Sequence, residues 1–392
     1  MTLNPVIELL GRRLRLAVIG GGADSFIGAM HRQAARLDDR YAIVTGIFSS
    51  DAGKSRRDAI ALGLEPDRVY DNVSSLLDRE SARKDGIDAV AIMTPNDSHF
   101  DYSVAALEHG FDVICDKPMT NTLDEAASLH KKVLETGLVF CLTHNYTGYP
   151  MVRQAKAMVQ AGELGIIRLV QVEYVQGGKA DEEKVFSPDN WKFDPVRGGP
   201  SRVMGDIGTH AHNLTRFITG LEVSEVAAEI GAIVPNRKIH DYAGAMLRFD
   251  NGARGSFWVT QAAAGVENCL RIRVSGTKGS LEWMQEIPQA LTFKPLHGAS
   301  QNRTPNGFGT LPLAARSTRI VAGHPEGFPD GFANIYSDAA EAIAARRAGK
   351  QPDPLAMFFP NSFDGLQGVK FVDSVIKSSE ANGAWVKIDD GQ

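Results

Sequence analysis

The chain has 392 residues, 43% of them apolar and 23% charged, an ordinary globular composition over a length that suits two domains. The formal net charge is −5 with no long basic run, so neither nucleic acid nor an anionic membrane is an expected partner. Cys115, Cys141 and Cys269 form no CxxC pair and are expected as reduced core residues. No stretch approaches the ~18–20 apolar residues of a membrane span. The opening MTLNPVIELLGRR lacks the basic-then-apolar order of a signal peptide, so a cytoplasmic enzyme is the default expectation.

After an N-terminal extension (1–13), short apolar runs at 14–19, 43–48, 89–93, 113–115 and 139–142 alternate with helix-like stretches such as 100–109 and 123–135. Continuous Val/Ile/Ala runs suit strands buried on both faces, and the alternation predicts an α/β Rossmann-type doubly wound parallel sheet over 1–145. Beyond a helix at 149–161 the pattern changes. Strand-like runs at 166–175, 223–233, 243–249, 253–260, 270–275 and 280–283 follow one another, punctuated by turns such as Asp250–Asn251–Gly252. They predict a second, α+β domain over 146–392 with a large, mostly antiparallel open sheet. Helices at 333–348 and 365–382 are expected to pack back on the body. Two Gly/Pro-containing stretches, 177–201 and 297–331, read as long functional loops.

The first strand runs into Gly20–Gly21–Gly22–Ala23–Asp24–Ser25–Phe26–Ile27–Gly28. Glycines at such a turn admit a pyrophosphate close to the backbone, and the next helix offers free N–H groups; Gly20, Gly22, Ser25, Phe26 and Ile27 are the candidates. The spacing departs from G-x-G-x-x-G, since five residues separate Gly22 from Gly28. The second strand ends in Phe48–Ser49–Ser50–Asp51, with Arg56 close behind. Asp51 suits a ribose hydroxyl and therefore NAD, whereas Ser49 with Arg56 suits the 2′-phosphate of NADP; the balance leans to NAD. Thr94–Pro95–Asn96 follows the third strand and suits a nicotinamide pocket.

Lys117, in Asp116–Lys117–Pro118 after the fourth strand, is placed to hydrogen-bond a reacting hydroxyl. Asp206 and His210, in Gly205–Asp206–Ile207–Gly208–Thr209–His210, stand four apart and so share a helix face. Taking a hydride from a carbinol also requires removal of the hydroxyl proton. A histidine suits that task, and a carboxylate can orient it. The histidine spacing fits no metal site, and no G-x-S-x-G elbow is present.

These motifs in this order resemble the glucose–fructose oxidoreductase/inositol dehydrogenase/rhizopine catabolism (Gfo/Idh/MocA) family. The features are the glycine turn with His31, Thr94–Pro95–Asn96 with His99, Asp116–Lys117–Pro118, and Asp206 with His210. The resemblance implies that Lys117 binds the substrate hydroxyl and nicotinamide ribose, that His210 is the acid/base assisted by Asp206, and that the peptide before Pro118 is cis. It adds His99 and Asp116 to the cofactor side, and it implies a homodimer or homotetramer built on the open sheet. Asp116 stands where Glu is usual. Further substrate contacts are expected from His144, Tyr146, Trp191, Arg197 and His324. The expected activity is hydride transfer between NAD(P) and a hydroxyl carbon of a sugar, sugar derivative or cyclitol. A redox-neutral glycosidase, with Glu326 or Tyr146 as an extra acid or base, and a non-catalytic sugar or nucleotide sensor are the alternatives.

Overall fold

The computed structural model describes residues 4–183 and 190–388. They form two compact units, one of 1–145 with 328–366 and one of 146–327 with 367–392.

The first unit is built on five parallel strands: β1 (Leu14–Gly20), β2 (Tyr41–Ile47), β3 (Ala89–Met93), β4 (Asp112–Cys115) and β5 (Phe140–Leu142). Their order is β2-β1-β3-β4-β5. The chain leaves β1 for β2 on one side and crosses back to β3 on the other, so a ligand crevice opens between the carboxyl ends of β1 and β3. All five residues of β3 are buried, as a strand covered on both faces requires. The connecting helices are capped by their own sequence. Ser25 caps Phe26–Leu37 and Asp51 caps Ala52–Ala61, and Thr122 with Glu125 forms a capping box on Leu123–Thr136.

The second domain does not run unbroken over 146–392, because 328–366 packs with the first unit. The helix Phe328–Arg347 begins five residues earlier than predicted and is buried on nearly every side. Its Phe332, Tyr336, Ala340 and Ile343 share a core with Leu14, Val18, Ala91 and Ile114. Pattern alone says that such a helix is buried, not against which sheet. The helix Ser362–Glu380 starts in the first unit and ends in the second.

The second unit carries nine strands: β6 (Ile167–Val175), β7 (Val223–Gly231), β8 (Tyr242–Phe249), β9 (Arg254–Thr260), β10 (Cys269–Gly276), β11 (Gly279–Met284), β12 (Leu291–Pro295), β13 (Gln301–Arg303) and β14 (Val386–Lys387). Their order is β13-β12-β11-β10-β6-β9-β8-β7-β14, and among the described residues every pairing is antiparallel except β6 with β9. One face is apolar, with Val170, Val172, Leu270, Ile272, Val274 and Trp283 buried. The other face carries Arg271 and Arg273, each 2.6 Å from Glu282, and the exposed Trp258 and Met246. The 297–331 stretch, read from sequence as one loop, holds β13 and the short helix Pro312–Ala315. It is anchored where Gln154 accepts from Leu311 N–H (2.8 Å) and donates to Gly309 O (3.2 Å). Among the described residues no helix is long and apolar enough to cross a membrane.

The first unit depends on a buried carboxylate before β3. Asp88 accepts two hydrogen bonds from Arg12 (2.6 and 3.0 Å) and one from Arg15 N–H (2.7 Å), and Arg347 lies 2.9 Å away. Asp88→Ala removes the shared acceptor of two half-buried guanidinium groups and of the Arg15 amide. It is expected to cost about 3 kcal/mol, seen as a lowered urea midpoint with an unchanged m-value.

Candidate functional site

The parallel sheet of the first unit brings three sequence-predicted segments to one edge: the glycine turn after β1, the 94–96 turn after β3, and Lys117 after β4. At Gly20 the backbone has φ +87°, and an added Cβ would stand 2.7 Å from Met93 O. At Gly28 an added Cβ would collide with the backbone of Gly21. These two close approaches bring the start of helix Phe26–Leu37 against the strand end, as a dinucleotide cradle requires. Ser25 Oγ accepts from Gly28 N–H (3.1 Å), while the amides of Phe26 and Ile27 lie in the first turn, where a helix provides no internal acceptor. Buried Arg32 donates to Gly21 O and braces the turn from behind. The residues present therefore fit a nucleotide pyrophosphate.

At the ribose end the expected side chains hold the strand-to-helix turn. Asp51 Oδ1 caps Lys54 N–H (2.5 Å), Ser49 Oγ accepts from Asp51 N–H (3.2 Å), and exposed Arg56 lies 3.5 Å from Asp71. Ser50 is exposed beside them. The carboxylate that approaches the glycine turn is Asp58, which accepts from Ala23 N–H (3.3 Å). Sequence reading missed Asp58, since nothing local separates it from a solvated helix acid.

Around Lys117 the backbone is tightly held. The Lys117–Pro118 peptide is cis, as the resemblance implied. Asp116 Oδ1 accepts from Lys117 N–H (2.9 Å) and from Thr143 Oγ1 (3.0 Å), which ties the end of β4 to the end of β5. Burial opposes ionisation of Asp116, yet His31, 4.0 Å away, together with Lys117 and His99, holds the carboxyl well below the usual carboxylate range. His31 Nδ1 in turn meets Tyr336 Oη at 2.6 Å. His99, expected on the cofactor side, is buried with its ring nitrogens 2.8 Å from Pro118 O and 3.1 Å from Thr94 O. A neutral ring donates to one of them at a time, and burial lowers the pKa of His99. Its ring holds the two turns rather than facing outward. Asn96 and His144 are buried in the same unit.

In the second unit Asp206 does not open a regular helix. Met204–Gly208 forms a π-helical turn, with Thr209 N–H reaching back to Met204 O, before the helix Thr209–Thr219 begins. Such wide turns recur at functional positions. Asp206 Oδ2 accepts from Arg202 Nη2 (2.7 Å) and Gln261 Nε2 (2.8 Å). His210 is buried, and the ring of Tyr146 meets it edge-on, with centroids 4.9 Å apart. Tyr146 Oη pairs with Tyr174 Oη, which donates to Asn268 Oδ1 (3.0 Å); Gln176 Nε2 donates to the same oxygen (2.6 Å). With the Tyr174 hydroxyl hydrogen directed at Asn268 Oδ1, Tyr146 is the donor to Tyr174. Burial raises the pKa of both phenols. The hydroxyl of Tyr146 is thus committed, and its ring serves as a wall for His210.

The remaining expected contacts separate. Trp191 is partly exposed at the start of a short 3-10 turn, with Lys192 Nζ 5.8 Å from its ring centre, and Arg197 is exposed. His324 lies on an exposed turn with Nδ1 3.2 Å from Val321 O. Glu326 is buried; its Oε1 accepts from Arg319 N–H (3.0 Å). Sequence reading missed Arg202, Gln176, Gln261, Asn268 and Lys179. Gln176, Lys179, Gln261 and Asn268 flank strand ends and Arg202 lies in the helical turn before Met204–Gly208, so their meeting depends on sheet register and helix docking.

Comparison with known families places residues 14–158 in the oxidoreductase family with an NAD-binding Rossmann fold, and 152–282 in the GFO/IDH/MocA C-terminal domain. An inositol dehydrogenase homologue from Azotobacter vinelandii, solved with NAD+, is 35% identical, with a TM-score of 0.90 over 96% of this chain and 97% of that one. An oxidoreductase from Sinorhizobium meliloti is 46% identical, with a TM-score of 0.87 over 96% of this chain and 100% of that one. Levoglucosan dehydrogenase of Pseudarthrobacter phenanthrenivorans is 28% identical over 96% of this chain and 98% of its own.

Asp116 also makes a pH-dependent contribution to stability. Its folded pKa lies below the unfolded value of ~3.9, so the contribution is present at neutral pH and is lost as pH falls through ~4 and below. Asp116→Asn is expected to lower stability at pH 7 and to flatten its acid limb, measured by urea unfolding at stepped pH. Gly28→Ala is expected to weaken NAD binding at least ~10-fold by pushing the turn away from the helix, measured by calorimetric titration.

Proposed function

Since this chain belongs to the Gfo/Idh/MocA oxidoreductase family and carries its NAD-binding Rossmann domain, we propose that it is a dehydrogenase acting on a hydroxyl carbon of a sugar, sugar derivative or cyclitol. The observation that carries the reading is in the first unit. Parallel pairing sets Lys117 on the same sheet edge as the glycine turn, with its backbone clamped by Asp116 and Thr143. The levoglucosan and inositol dehydrogenase relatives support the substrate class.

When bound, the nicotinamide supplies the hydride acceptor. The amides of the 20–22 turn and of Phe26 and Ile27 hold its phosphates. Lys117, a donor only, steadies the substrate oxygen as its proton departs. His210 takes that proton, and Asp206 stabilises the charged ring. Tyr146, packed edge-on, walls one side of the imidazole.

The glycosidase reading needs a further acid or base. Its two candidates are engaged elsewhere, Glu326 with Arg319 N–H and Tyr146 with Tyr174, so nothing in the site favours it. We also expect the outer face of the second sheet, with Trp258 and Met246 exposed, to join copies of the chain; Trp258→Glu would then lower the mass measured by light scattering.

Incubation with a panel of sugars, cyclitols and glycosides, with added NAD or NADP, tests the proposal. Net formation of reduced nicotinamide from a free sugar or polyol is the expected result; aglycone release without net reduction would overturn it. Lys117→Ala and His210→Asn should each cost on the order of 10²–10⁴-fold in kcat with NAD binding retained. Near-full activity in either variant would remove that residue from the site.

A further inference from the structure

The polar network of the second unit contains a cation that the hydride-transfer reading does not use. Lys179 lies just past the end of β6, where the chain continues beside the end of β9. There Gln176 N–H donates to Thr260 O (2.8 Å) and Lys179 N–H donates to Gln261 O (3.0 Å). The side chains repeat the pairing. Lys179 Nζ donates to Gln261 Oε1, and the ammonium lies 5.7 Å from the centre of the Phe193 ring. Gln261 Nε2 then donates to Asp206 Oδ2 (2.8 Å) and to Gln176 Oε1 (3.0 Å).

The direction of this chain of bonds is set by Lys179. An amide has an acceptor end and a donor end, whereas an ammonium group only donates. With Lys179 on the carbonyl end, the NH2 end of Gln261 must face Asp206. The flipped amide would set donor against donor at Lys179 and a carbonyl oxygen against a carboxylate at Asp206. We propose that Lys179 is a positioning residue of the hydroxyl-oxidising site, acting through Gln261 to fix the hydrogen-bond donor that holds Asp206. The inference rests on the reading of Asp206 as part of that site.

The charged groups facing Lys179 are Arg202, Asp206, Lys192 and Asp241. Asp241 is itself occupied, accepting from Ile233 N–H (2.8 Å) and Val234 N–H (3.3 Å). Burial first, then Arg202 and more weakly Lys192, push the ammonium down to about 7 against the pull of Asp206 and Asp241. Below that pH the ammonium locks the amide. Above it the amine gains a lone pair and can also accept, so Lys179 no longer excludes the flipped amide and only Asp206 opposes it.

Competitive trace acetylation of the whole chain, resolved by peptide mass spectrometry across neutral and alkaline pH, reads this coupling without substrate or cofactor. Lys179 is expected to titrate near neutrality. Its midpoint should fall by about 1 unit in Asp206→Asn, because the favourable carboxylate is gone, and by less in Gln261→Leu, which keeps both charges. A midpoint unchanged in both variants would overturn the proposal.

Turnover of the substrate identified by the panel supplies a second readout. The wild type should show a downward step in kcat as pH rises through about 7, opposite in sense to the rise that a proton-accepting histidine gives. Lys179→Met should lose the step and about tenfold in kcat, with KM for NAD unchanged. Lys179→Arg should lose the step yet keep the low-pH rate, since its charge never titrates. Equal loss in both variants with the step retained would show a merely structural lysine and overturn the proposal. A panel giving no turnover would overturn the dehydrogenase reading instead, while the labelling still decides whether Lys179 and Asp206 are coupled.

Discussion

The carboxylate of Asp116 serves the backbone around it. By accepting from Lys117 N–H and Thr143 Oγ1, it joins the ends of two adjacent parallel strands and sets the course of the chain at the residue that follows. A lysine on a free strand end would sweep a wide volume, and ordering it on binding would carry an entropic cost. Clamping its main chain removes part of that cost beforehand. His31, buried beneath the carboxylate and joined to Tyr336, favours the ionised form that the clamp needs. A helix from far along the chain therefore supports the turn, which is a physical reason for 328–366 to belong with the first unit.

The second unit solves a related problem with an ion pair and a run of neutral amides and hydroxyls. Asp206 sits in a π-helical turn, where the wider spacing sets its carboxylate between Arg202 and Gln261. The tyrosine pair, Asn268, Gln176 and Gln261 form one run of hydrogen bonds in which both ends of the Gln176 and Gln261 amides have a defined partner. Such runs give directionality that packing alone lacks, and a single wrong orientation leaves buried polar atoms opposed. Both units thus hold their chemical groups through the partners behind them.

The departures from expectation have one cause. Tyr146 and His99 are residue types that suit a ligand, yet Tyr146 Oη is bound to Tyr174 and both ring nitrogens of His99 face backbone carbonyls. Glu326 and Asp51 are likewise engaged with nearby amides. A side chain's chemistry is local, but whether its polar atoms remain available is settled by neighbours distant in sequence. Asp58, Gln261 and Lys179 show the converse, being unremarked in sequence and brought to polar clusters by an adjoining element.

The sequence by itself determined what short-range physics controls. Apolar runs with turn residues between them specified the parallel and the antiparallel sheets. Glycines marked the turn where strand and helix must approach, and the order of Lys117, Asp206 and His210 marked the family. Only the tertiary structure decided which sheet the helix Phe328–Arg347 covers and which carboxylate reaches the glycine turn. It also decided which way the Gln261 amide faces. Those outcomes depend on strand register and helix docking, where residues tens or hundreds of positions apart compete for the same buried space and the same hydrogen-bond partners.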